Sequence, residues 1–345
     1  MLLLIRLLAL ASLAEVNLAC FGGGGGGQTP TTTQAPTPSI RTVLVIGGRT
    51  SGNVVLRDVQ LYVPSDKELE TSFSASLLQP RSDHVAGVYR GRVIVAGGVG
   101  ADERRLTSSS EIYDPDKGAF EAGPEMNEGH AQAVGEMLGS RFYVCSGLGT
   151  VSLTPNCEYY DFENPSAGWT AGDPLPMSVR LSGAASAPVG EGSMLAIGGI
   201  DSASQEQEAV YRFTQGGGWS RVAGMSGGAR YEAAGAGVDD DGLMVCGGQR
   251  RSSGGEFERL ATCEVYDATG GVWDGSSTAA LQEARSYHEM VNYGGRMLVL
   301  GGSGADGRLD SVEELVEGEW RLDANRLGIA VNGFAAVVYE EQSRD

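Results

Sequence analysis

RSDHVAGVYRGRVIVAGGVGADERRLTSSSEIYDPDKGAF, Arg81 to Phe120, sets four short apolar runs between turn signals. RSDHVAGVY and VIVAGG flank an Arg-Gly turn, and SEIYDP and the aromatic Phe120 follow a polar loop and an Asp-Lys-Gly turn. Each run is too short for a helix and rich in β-branched or aromatic residues, so the stretch predicts four consecutive strands.

The same order recurs on both sides. VLVIGG, VIVAGG, FYVCSG, MLAIGG, LMVCGG and MLVLGG end at Gly48, Gly98, Gly147, Gly199, Gly248 and Gly302, at steps of about 50 residues. Tyr62, Tyr113, Tyr160, Tyr211 and Tyr266 mark a later strand, and Phe120, Trp169, Trp219, Trp273 and Trp320 a fourth. Six such units predict an all-β fold, a six-bladed β-propeller of four-stranded antiparallel blades. The first unit lacks its opening strand, while Asn332 to Glu341, NGFAAVVYEE, is surplus at the other end. It is expected to complete the first blade and remove a free sheet edge.

The diglycine, the Tyr-Asp strand and the later tryptophan resemble the kelch repeat, over essentially all of Arg41 to Gln342. That resemblance implies a propeller whose inter-strand loops do the binding. Some kelch-like propellers are enzymes. The chain is also similar to secreted six-bladed sialic-acid epimerases, which keeps a carbohydrate-active alternative open. A copper-oxidase reading fits less well, because the cysteines have another use.

Composition narrows the partners. The net charge is −19 and no lysine- or arginine-rich run exists, so the field repels nucleic acid. The first 20 residues, MLLLIRLLALASLAEVNLAC, are apolar but broken by Arg6 and Glu15. They read as a secretory leader rather than a span. Ser12 and Ala14 suit cleavage, while Ala19-Cys20 suits lipid attachment at Cys20, so a secreted and a membrane-tethered form are both expected readings. Residues 21–40, glycine-rich and then threonine- and proline-rich, read as a tether, and 41–345 as the propeller.

Cys145 and Cys157 in VCSGLGTVSLTPNCEYYD share their frame with Cys246 and Cys263 in VCGGQRRSSGGEFERLATCEVYD. In the propeller, the two members of each pair fall on neighbouring antiparallel strands, within disulfide range. Zinc and redox readings compete, but the usual metal-ligand spacings are missing. Two disulfides, Cys145 to Cys157 and Cys246 to Cys263, are therefore expected, in an oxidising compartment.

His84, His130 and His288 read as one repeat position, which favours a structural role. No catalytic constellation, metal site or cofactor motif emerges. Arg81, Arg180, Arg230 and Arg285 open the first strand of four blades, with Ser82 and Ser286 beside two of them and with Val331 and Asn127 in the arginine place of the others. Gathered around a channel, such guanidiniums can fork onto carboxylates. In kelch adaptors that capture acidic peptides, arginines and serines resemble this set. The alternative is that each arginine is satisfied inside the fold. The expected function is a non-catalytic binding propeller for a protein or an acidic ligand. Its contacts would be the arginine set and the variable loops, notably Val99 to Ser108 and Gln249 to Leu260.

Overall fold

The computed structural model describes residues 40–341 except 70, 72, 103–105, 177–180, 240–241, 253 and 277. The leader, residues 21–39 of the tether, Cys20 and Arg180 lie outside the described residues, while Ile40, the last residue expected in the tether, already belongs to the first strand.

Six antiparallel sheets form the six expected blades. Blades two to six each have four strands, ordered in sequence from the channel outward. Their inner strands are Val85–Tyr89, Val134–Leu138, Ala185–Pro188, Ala234–Asp239 and Glu289–Tyr293. Blade one is closed as the sequence predicts. Ala335–Glu341 is its inner strand and pairs along Ile40–Ile46, from Ile46 opposite Ala335 to Ile40 opposite Glu341. Val59–Tyr62 follows on the other side. No fourth strand is assigned to this blade among the described residues, but Phe73 packs against Tyr113 and Tyr339, with ring centroids 4.6 and 5.5 Å away. The chain therefore has an aromatic where the other blades carry Phe120 or a tryptophan.

The second strand of each blade shows why its sequence is apolar at every position. Leu44 and Ile46 of blade one pack with Val93 and Val95 of blade two, while Val43 and Val45 pack backwards onto Leu298 and Leu300 of blade six. Ile94 and Ala96 then meet Phe142 and Val144, Tyr143 and Cys145 meet Met194 and Ala196, and Leu195 and Ile197 meet Leu243 and Val245. Met244 and Cys246 meet Met297 and Val299, which completes the circle. Alternate side chains point to opposite faces of a strand. Because both faces are covered by a neighbouring blade, neither can be polar, and the core is six layers between blades rather than one centre.

The diglycines are where neighbouring blades touch most closely. Gly97 and Gly98 have φ of 69° and 93°, and a Cβ on Gly97 would lie 2.3 Å from the His130 carbonyl oxygen. Gly98 N–H donates to that same oxygen at 2.6 Å. Only a residue without a side chain satisfies both the left-handed φ and the approach.

Both cysteine pairs are disulfides. Cys145 and Cys157 face each other across adjacent strands, as do Cys246 and Cys263. Their Cα atoms are 4.0 and 4.1 Å apart.

Candidate functional site: the channel and its mouth

The arginine position belongs to a four-part unit inside each blade. Arg81, Arg230 and Arg285 are fully buried. One terminal nitrogen of each donates at 2.7 Å to a third-strand glutamate, namely Glu111, Glu264 and Glu313. The other terminal nitrogen donates to two carbonyls: Gly97 and Ser109, Gly247 and Thr262, or Gly301 and Ser311. Each carboxylate also accepts two backbone N–H groups from the segment entering the blade: Leu78 and Gln79, Ser226 and Gly227, or Gln282 and Glu283. A charge pair buried with this many hydrogen bonds is the form in which burial is tolerated. The set expected at the ligand face is thus turned inward at its three described members, with both terminal nitrogens of each guanidinium paired inside the fold and only the Nε of Arg81 and Arg230 left without a partner. Ser82 and Ser286 are buried as well, Ser82 accepting from Arg49 at 3.0 Å and donating to Asp83 at 2.9 Å.

The backbone also corrects the register of two blades. The second diglycine N–H donates to the carbonyl of the arginine-position residue in the next blade. Those acceptors are Arg81, His130, Leu181, Arg230, Arg285 and Val331. His130, not Asn127, therefore holds the position in blade three, and Leu181, not Arg180, holds it in blade four. His130 is consequently not equivalent to His84 and His288, which lie three residues further along their own units. The third-strand partner changes in step. Where the position is Leu181 the glutamate is replaced by Ala209, and where it is Val331 by Gln60, whose amide exchanges hydrogen bonds with the Ile329 backbone. Cation and carboxylate are kept or lost together.

Blade three uses the titratable version. His130 Nε2 lies 3.3 Å from Glu158 Oε1 and 3.5 Å from Glu128 Oε1, while Nδ1 meets the Ser146 carbonyl oxygen at 2.8 Å. Burial opposes the imidazolium, but Glu158, the Ser146 carbonyl and Glu128 outweigh it and hold His130 above its ordinary 6.5. Burial likewise opposes the Glu158 carboxylate, but His130 and the Asn127 and Glu128 N–H groups hold it below its ordinary 4.5. A raised histidine stabilises fully below its unfolded value and loses this as pH rises through its folded value. A lowered glutamate stabilises above its unfolded value and loses this on acidification. The pair therefore contributes most between about pH 4.5 and 6.5. The stability gap between the parent and His130→Gln is expected to be widest there and to narrow towards pH 9, followed by thermal unfolding. A gap that widens with pH would overturn the assignment.

His84 and His288 are a different matter. Burial, and then the neighbouring Arg81 or Arg285, drives each down to about 3, so both are neutral packing residues over the diglycine of the preceding blade.

Two residues after the arginine position, the chain turns left-handed in every blade. Asp83, Gln132, Gly183, Glu232, Tyr287 and Gly333 have φ between 50° and 64°. Each donates its N–H to the carbonyl of its equivalent in the preceding blade. Gln132 bonds Asp83 at 2.9 Å, Gly183 bonds Gln132 at 3.0 Å, Glu232 bonds Gly183 at 2.8 Å and Tyr287 bonds Glu232 at 3.0 Å. Gly333 bonds Tyr287 at 3.1 Å, and Asp83 returns to Gly333 at 2.6 Å. This closed circle of six amides frames the channel mouth on the side of the diglycine loops. Left-handed geometry strains the four residues that are not glycine, and their side chains are the mouth.

Below the mouth the inner strands enclose a cavity of about 410 Å³. Asp83 and Glu232 belong to opposite blades at the mouth, and Glu136 and Glu289 to opposite blades further in. Burial pushes Glu136 up to about 7, with Ser186 acting against it, and burial and then Glu136 push Glu289 up to about 8. Glu232 is raised well above its ordinary value by burial and by Asp83. Asp83 is raised by burial and partly relieved by Ser82 and by Arg49, whose guanidinium is 3.6 Å away. None of these channel carboxyls was singled out from sequence. For Asp83 and Glu232 the signal was present in the residue at the third place of RSD and RYE, read against its equivalents in other units; Glu136 and Glu289 lie on the inner strands beyond it.

A ring of antiparallel sheets joined by buried diglycines and closed by its last strand defines the class: the chain folds as a six-bladed β-propeller of the kelch type. Residues 80–127 match the Kelch motif family. Kelch-like protein 41b of Danio rerio is 32% identical over 111 residues, covering 32% of this chain and 18% of that protein, so less than a fifth of the relative's length is matched. The solved structure of YjhT has a TM-score of 0.62 and 14% identity, over 77% of this chain and 88% of that one. At that identity the likeness is one of fold. No helix among the described residues is long and apolar enough to cross a membrane.

Proposed function

We propose that the chain is a non-catalytic, extracytoplasmic binding propeller that engages a protein partner through the loops following its diglycines. One observation carries this reading. The three most exposed large hydrophobic side chains among the described residues, Val151 at 96%, Phe257 at 61% and Val54 at 58%, all lie in these loops, on blades three, five and one. Single exposed apolar residues are common, but three on alternate blades of one face offer spaced anchors to a partner broad enough to cover that face.

The blade-five loop is also built to present its residue. Gln249–Arg251 and Phe257–Arg259 form a separate hairpin. Phe257 has Arg251 5.3 Å over its ring and Tyr231 edge-on at 6.5 Å. The Arg251 N–H reaches Glu206 of the blade-four loop at 3.1 Å. Two disulfides support an oxidising compartment. The internal pairing of Arg81, Arg230 and Arg285 takes away the reason for an acidic ligand, so the proposed partner offers apolar contact instead.

The test uses a photo-reactive benzoylphenylalanine placed at Phe257 or at Val272, the latter being 55% exposed at the start of the outermost strand of blade five, beside the turn on the opposite face. Irradiation in the native cells is expected to give a discrete protein adduct from position 257 and none from 272. Equal labelling from both faces, or adducts from 272 alone, would sink the proposal.

A further inference from the structure

The channel chemistry is independent of the loop face. Its lining residues include Asp83, Glu136, Glu232 and Glu289 but no lysine or arginine, and the two histidines that touch it are neutral. Among the described residues the nearest cations stand at the two ends of the channel: Arg49 beside Asp83 at the mouth, and Arg41 and Arg90 at the other end, where Val88, Asn292 and Val338 are shared. Glu289 faces the channel half-buried, its carboxyl has no hydrogen-bond partner among the described residues, and it is opposed by Glu136. Carboxyls so placed keep their protons until a cation brings the counter-charge that the channel lining does not supply.

A single metal ion is a poor candidate for that charge. No group of three or more histidine, cysteine, aspartate or glutamate side chains among the described residues is gathered closely enough to hold one. Oxygen-ligating cations need several oxygens converging at about 2.0 to 2.6 Å. Here the carboxyls are distributed along an axis and across it, on four different blades. An extended molecule with separated positive groups matches that spread, and a cavity of about 410 Å³ suits a small organic ligand.

We propose that the channel is a binding site for an organic cation carrying two or more amino groups, a polyamine-like ligand, with Glu136, Glu232 and Glu289 as its carboxylate partners. Ammonium groups donate to the carboxylates and restore the missing charge. Tyr287, Asn292 and Ser186, which line the same cavity, supply further polar contact. Binding favours the ionised carboxyls, so it releases protons. Affinity therefore rises with pH through the range in which Glu136 and Glu289 ionise. The groups facing this titration are Asp83, Glu232, Tyr287, the neutral His84 and His288, Arg49 at the rim, and Arg41, Arg90 and Glu340 at the far end. The chain's net charge of −19 steers such a ligand towards the surface.

Calorimetry with spermidine on the full chain tests this, in two buffers of different ionisation enthalpy. Binding is expected to release protons and to tighten by about tenfold between about pH 6.5 and pH 8.5. In Glu136→Gln/Glu289→Gln it is expected to weaken by about tenfold or more. Glu317→Gln, at an exposed surface carboxylate, is expected to bind like the parent. Magnesium at matched ionic strength and sucrose should not compete. Absence of spermidine binding, undiminished binding by the double variant, or displacement by magnesium through general charge screening would each overturn the site. So would displacement by sucrose, which would make it a polyol site. The pH and proton-release measurements use the parent protein, so the proposal stays open to refutation even if the variant fails to fold. Removing two mutually repelling carboxyls is expected to leave its unfolding midpoint unchanged or higher.

Discussion

Glu264→Ala is expected to destabilise the propeller by about 3 to 5 kcal/mol, the usual cost of leaving one member of a buried ion pair unpartnered. Arg230 is only 1% exposed, and Glu264 is its only carboxylate among the described residues, at 2.7 Å. Truncation would also strand the Ser226 and Gly227 N–H groups that the same carboxylate accepts. The partner experiment is already written into blade four, where Leu181 and Ala209 occupy the two positions. The double variant Arg230→Leu/Glu264→Ala reproduces that pair and is expected to recover most of the loss, because an apolar replacement removes the buried charge altogether. Urea unfolding of parent, single and double variants decides the matter. A single variant within about 1 kcal/mol of the parent would place the pair among the weak, solvent-screened kind and contradict its burial.

The second large effect concerns the staples. Replacing all four bridging cysteines by alanine is expected to lower stability by about 6 kcal/mol, about 3 for each loop in the chain-entropy account if the two act independently. The loops close over 12 and 17 residues. Both bridges join the second and third strands of a blade, so their loss frees the intervening loop in the unfolded chain and loosens two inter-blade layers, because Cys145 and Cys246 also pack against blades four and six. Denaturant unfolding of the oxidised parent, the reduced parent and the variant provides the check. The last two should coincide, well below the first. Equal midpoints for all three would show that the bridges constrain nothing.

Much of the fold could be read from residues alone, for a definite reason. A strand covered on both faces has no polar positions, so VLVIGG and its five relatives stand out against any background. The diglycine after them marks a close approach that no other residue permits. Closure by NGFAAVVYEE followed from counting strands, and the disulfides from two coupled replacements on neighbouring strands. The arginine register was less legible. Blade four offers an arginine one residue before Leu181 and the segment entering blade three offers none, so reading for arginine placed Arg180 and Asn127 where Leu181 and His130 stand. Aligning on the third strand would have avoided this. The residue two before its tyrosine is Glu111, Glu158, Glu264, Gln60 or Ala209, and its charge announces what must stand opposite. The channel mouth was hidden for another reason. Left-handed backbone usually betrays itself through glycine, yet four of the six positions here are Asp83, Gln132, Glu232 and Tyr287.

That circle of amides separates dimension from composition. Each link is one main-chain hydrogen bond, so six links set a circumference that owes nothing to the side chains hung on it. Substitution at these positions can turn an acid into an amide, a phenol or bare backbone, as the six blades already do, while the aperture keeps its width. The mouth is an aperture of fixed bore with an interchangeable rim, and selectivity can drift there without the architecture having to follow.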